Sequence, residues 1–146
     1  MIKGATLIEG NEYLTVGPES YIWTKGAMKF KLTIPAGFNT DFASYPWWGK
    51  YFGFKREDTG WIRASKFHDW LYFIGPEDMN LKYPGSYQYL DINDQWSNCI
   101  SIWKRKEADQ LFNKIMEEDD FPKRRRLEAY WAVRLFGGIH CKRLFW

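Results

Sequence analysis

Apolar and polar residues alternate with a period of two early in the chain and recur with a helical period later. Tyr13-Leu14-Thr15-Val16 ends at the turn signal Gly17-Pro18. Tyr21-Ile22-Trp23-Thr24 breaks at Lys25-Gly26, and Phe30-Lys31-Leu32-Thr33-Ile34 alternates strictly before Pro35-Ala36-Gly37 stops it. Such alternation of β-branched and aromatic residues predicts half-buried antiparallel strands up to about residue 46. Three helices follow. The first opens on Thr59 as N-cap and stops near Gly75-Pro76. The second runs from about Trp103 to Glu118, with Ala108, Leu111, Phe112, Ile115 and Met116 as its apolar stripe and Asp109 at the stripe's edge. The third, about 122–136, starts at Pro122, carries Leu127, Tyr130, Trp131, Arg134 and Leu135, and ends at Gly137-Gly138. Residues 75–102 have no clean period and predict a long ordered loop with a short strand at Tyr87–Leu90. The fold class expected is α+β, an N-terminal antiparallel sheet followed by about three helices, in one domain over 1–146.

The chemistry concentrates at Lys66-Phe67-His68-Asp69-Trp70-Leu71-Tyr72, which holds one of the two histidines. Helical spacing puts Trp61, Ala64, His68, Leu71 and Tyr72 on one stripe, with Asp69 displaced by about 100°. His68 therefore faces the apolar side, where each ring nitrogen needs a partner. The turn-forming stretch Gly37 to Pro46 supplies Thr40, Asp41 and Ser44, which fix a loop through local bonds or, as a group with Gly37, line a site. His140 and Cys141 are too few for a zinc site.

Composition adds three points. Nine Trp, nine Tyr and eleven Phe in 146 residues suit packing against another chain as well as a core. A net charge of +3 carries no strong nucleic-acid signal. Lys123-Arg124-Arg125-Arg126 is most simply a solvated face, but cations at a helix N-terminus are unfavourable and point to an acidic partner. Cys99 and Cys141 make no metal-ligand spacing and no disulfide framework, which fits a reducing compartment. The first residues lack a signal-peptide core and no apolar run reaches spanning length, so synthesis in a cytoplasm is expected.

Four segments in order resemble an uncharacterised domain family found mainly in bacteriophages and prophages. They are Ile34 to Pro46 (with Gly37-Phe38, Thr40-Asp41 and Ala43-Ser44), His68 to Tyr72, Ala108 to Phe112 with Met116, and Tyr130 to Gly137. The long connection after Tyr72 departs from that family's short one. The resemblance implies phage origin and names no reaction. His68-Asp69-x-x-Tyr72 with Ala108-Asp109-x-x-Phe112 is also similar to the core of phospholipase A2. That likeness implies His68 as general base, Asp109 holding its far nitrogen, Tyr72 bracing Asp109, and Asp69 holding calcium. The upstream loop, Gly37 to Ser44, has only one glycine, unlike the calcium loop of those enzymes.

Two functions stand side by side. One is an accessory or virion structural protein that binds another phage protein, with His68 and Asp109 clamping two helices. The other is a phospholipase A2-like hydrolase acting on host membrane lipid or another ester during lysis or genome entry. A metal site built on Asp41, His68, Asp69 and Asp109 uses sensible hard ligands. The expected location is the host cytoplasm on synthesis, and the virion for a structural role.

Overall fold

The computed structural model describes residues 5–7, 13–15, 17–40, 59–100 and 103–136. Asp41, Ser44, His140 and Cys141 lie outside them, as does the connection 47–58. The fold is α+β, with seven strands and four helices among the described residues. The strands are β1 (Ala5–Leu7), β2 (Tyr13–Thr15), β3 (Glu19–Lys25), β4 (Met28–Ile34), β5 (Asn39–Thr40), β6 (Tyr87–Leu90) and β7 (Trp96–Asn98). The helices are α1 (Thr59–Ile74), α2 (Met79–Lys82), α3 (Arg105–Glu118) and α4 (Lys123–Phe136).

A small antiparallel sheet has the order β1-β2-β5 and a larger one the order β3-β4-β6-β7. In the larger sheet, β3 and β4 form a hairpin in which Lys25 pairs with Met28 across Gly26-Ala27. Gly26 has φ +63°, the conformation that a two-residue hairpin turn requires and that glycine adopts without a Cβ clash. The alternation of β4 is realised as expected: Leu32 and Ile34 are fully buried, while Lys31 and Thr33 are only half-buried. On the outer side, the Lys31 ammonium stands 4.5 Å from the Trp96 ring centroid.

Residues 75–100 are more structured than their polar composition suggests. Gly75, at φ +68°, ends α1 with its N–H on the Leu71 carbonyl at 2.9 Å. After the short α2, β6 pairs with β4, and β7 pairs with β6. The hairpin thus completes the larger sheet: the strand expected at Tyr87–Leu90 is β6, and the loop expected around it is corrected to the helix α2 and the strand β7. Two side chains hold it. Asn80 Nδ2 donates to the carbonyls of Tyr87 (2.7 Å) and Cys99 (2.8 Å), and Asp91 accepts from the Asn93 and Gln95 amides and the Ser97 hydroxyl. These are local polar bonds that no hydrophobic period announces. Asn39 and Thr40, also expected in a loop, form β5 and pair with Leu14 and Tyr13.

The core lies between the inner face of the larger sheet and helices α1 and α3. Tyr21 packs on Phe67 with ring centroids 5.8 Å apart, and its hydroxyl donates to Glu118 at 2.7 Å. Helix α1 is buried on more than the one stripe expected: Ser65, Lys66, Phe67, Trp70 and Ile74 are covered along with Ala64, His68, Leu71 and Tyr72. A helix enclosed on several sides must place polar residues inside, and each then needs a partner. Lys66, only 1 % exposed, finds Glu19 Oε2 at 2.6 Å.

Candidate functional site

Helices α1 and α3 bring His68, Tyr72 and Asp109 together at their interface. The three come from one helical i, i+4 pair and from the inner edge of the stripe opposite. Asp109 is fully buried and His68 is 2 % exposed. His68 Nε2 lies 2.7 Å from Asp109 Oδ1, and the Tyr72 hydroxyl donates to the same oxygen. An ionised carboxylate only accepts, so the geometry assigns a proton to Nε2.

The other oxygen, Oδ2, is served from α4 and from α3 itself. Arg134 Nη1 donates to it at 2.8 Å, and Arg105 Nη1 stands 3.8 Å away. Burial pushes the Asp109 carboxyl upward, but His68, Tyr72 and Arg134 outweigh it and hold the pKa below the ordinary value. The carboxylate stays ionised and its acceptor sites are taken. Arg105 also reaches the Val133 and Arg134 carbonyls at 3.2–3.3 Å, satisfying groups that the last turn of α4 leaves open.

The His68 ring packs between Tyr72 and Phe112, with centroids at 4.0 and 4.7 Å. Its second nitrogen, Nδ1, is buried and has no hydrogen-bond partner among the described residues. The calcium ligands implied at Asp69 and Asp41 are described only in part, since Asp41 lies outside the described residues. Calcium takes six to eight oxygens; Asp109 is committed to its donors and Asp69 is half-buried on α1. No group of three or more His, Cys, Asp or Glu suited to a metal occurs among the described residues. Of the loop candidates, Gly37 takes the turn at φ +85° and Thr40 contributes backbone to β5.

Residues 19–133 match a family described as a protein of unknown function (DUF1353). The chain belongs to the DUF1353 family. No curated protein and no solved structure matches it. The DUF1353 match spans His68, Tyr72 and Asp109, and ends one residue before Arg134.

The basic run at the start of α4 divides between surface and interior. Lys123 and Arg124 are exposed, and Arg124 Nε lies 3.3 Å from Glu128. Arg126 is buried with Nη1 3.2 Å from Glu117, and Arg125 is half-buried. A wholly solvated face is therefore corrected: the helix turns Arg126 inward. Arg105 and Arg134 are site residues that spacing along α1 and α3 did not single out. The available signal was α4 itself, where Arg126, Ala129 and Val133 share one face and Arg134 flanks it.

Proposed function

We propose that this DUF1353 chain is a phage-encoded accessory or virion structural protein that binds another phage protein through α4. The phage assignment rests on the motif resemblance, and the binding role on one observation. Leu127, Trp131 and Leu135 are 39 %, 58 % and 71 % exposed. At four-residue spacing they form a stripe along the solvent side of α4, next to exposed Lys123 and Arg124. An amphipathic helix with such anchors suits an apolar groove with an acidic rim. In this role His68 and Asp109 are a clamp that locks α1 to α3 and, through Arg134, to α4.

The alternative is a hydrolase with His68 as base, and the unpartnered Nδ1 is what favours it. A base must reach water or substrate, so the burial of Nδ1 supports the clamp instead. Cross-linking in phage-producing cells, followed by mass spectrometry, tests the binding role. Wild type should join to one phage protein, and Trp131→Ser with Leu135→Ser should lose that product. Identical products from both would refute it. Hydrolysis of phospholipid vesicles by wild type but not by His68→Ala would replace the clamp with the enzyme.

A further inference from the structure

A cavity of about 440 Å³ opens at the outer end of the larger sheet, between it and α3. Its wall is aromatic: Trp23 and Phe30 from the β3–β4 hairpin, Tyr87 from β6, and Trp103 just before α3. Neighbouring centroids are 5.5–5.8 Å apart for the Trp23–Phe30, Phe30–Tyr87, Trp23–Trp103 and Tyr87–Trp103 pairs. The rings pack on one another, stacked for Trp23–Phe30 and Phe30–Tyr87 and edge-on for Trp23–Trp103 and Tyr87–Trp103, and give the cavity an aromatic wall. The volume falls within the range of small-molecule sites.

Two polar features point to what would lie there. Lys25 and Lys114 line the cavity, and neither makes an ion pair among the described residues. The carboxylate lining it, Glu107, is already committed to the Lys104 amide at 2.8 Å, where it caps α3.

We infer that this cavity is a binding site for a planar aromatic ligand bearing an acidic group. The ligand's ring lies on the aromatic wall and its anionic oxygens meet Lys25 and Lys114. A nucleotide and an aromatic carboxylate share this chemistry. The site is separate from the His68–Asp109 clamp and uses none of its residues.

Isothermal titration with four probes tests it: adenosine 5′-monophosphate, adenosine, ribose 5-phosphate and indole-3-acetate. At least one of the two planar anions should bind saturably. Adenosine and ribose 5-phosphate, which each lack one half of the pattern, should bind about tenfold or more weaker than the nucleotide if the nucleotide is the ligand class. Binding of indole-3-acetate alone assigns the carboxylate class. The double variant Lys25→Gln with Lys114→Gln should weaken the bound probe by about tenfold or more, since hydrogen bonds to charged groups are the stronger kind. No binding of either planar anion, adenosine binding as tightly as its monophosphate, or an unchanged affinity in the lysine variant with an unchanged thermal melt would each overturn the site.

Discussion

Helices α3 and α4 are both 14 residues long and lie side by side, yet they use their apolar residues in opposite ways. In α3 the large apolar residues face inward, and Leu111, Phe112, Ile115 and Met116 are all buried. In α4 the large ones face out, while Ala129, Ala132 and Val133 are covered. The difference follows from what each helix must reach. α3 packs against α1 and fills the core with volume. α4 packs on α3 with small residues, and its arginines extend to carboxylates on that helix: Arg126 to Glu117, Arg134 to Asp109. A long guanidinium arm and a close helix approach leave no room for leucine or tryptophan on the same face. Amphipathicity therefore predicts the buried side of α3 and misleads for α4.

Asp109 joins the two helices, so its loss should have the largest effect. Asp109→Asn keeps the shape but leaves His68, Arg134 and Arg105 facing a neutral amide; stability should fall by about 3–5 kcal/mol, read by urea denaturation. The effect should depend on pH with a definite sign. The folded pKa lies below the ordinary carboxylate value of 3.8, so the contribution is present above that value and lost as pH falls through the folded one. The stability gap between wild type and variant should therefore close below about pH 4. A gap that stays constant into acid would show that the carboxylate's charge is not what matters.

Next comes the volume that α3 contributes. Ile115→Ala should cost about 2–5 kcal/mol by opening a cavity in the core, measured as the shift in denaturation midpoint. Within the α3–α4 seam, Ala132→Leu should destabilise by about 1–3 kcal/mol, since an added side chain must push the helices apart. If it instead stabilises, α4 does not approach α3 closely. The smallest stability change belongs to the outer stripe: Trp131→Ser should stay within about 0.5 kcal/mol of wild type in a thermal melt. Trp131→Ser is also one half of the double variant expected to lose partner cross-linking, so stability and binding separate along this stripe.

Much of the fold was legible because it rests on local periodicity. Period-two alternation over Phe30–Ile34 marks a strand wherever that strand lies, and the Ala108–Met116 spacing marks a buried stripe. Gly26, Gly75 and Pro122 punctuate the elements through backbone conformation alone. The pairing of His68, Tyr72 and Asp109 was also legible, since i, i+4 spacing and motif resemblance put the three in one place. Three-dimensional packing decided the rest. It placed the strand Tyr87–Leu90 in the larger sheet and added β7 to it, because β6 finds its inner partner in β4, more than fifty residues away. It enclosed α1 on several sides, inverted α4 and brought Arg105 and Arg134 onto the Asp109 carboxylate. Those outcomes depend on which surfaces meet, and a side chain's own neighbours in sequence do not specify them.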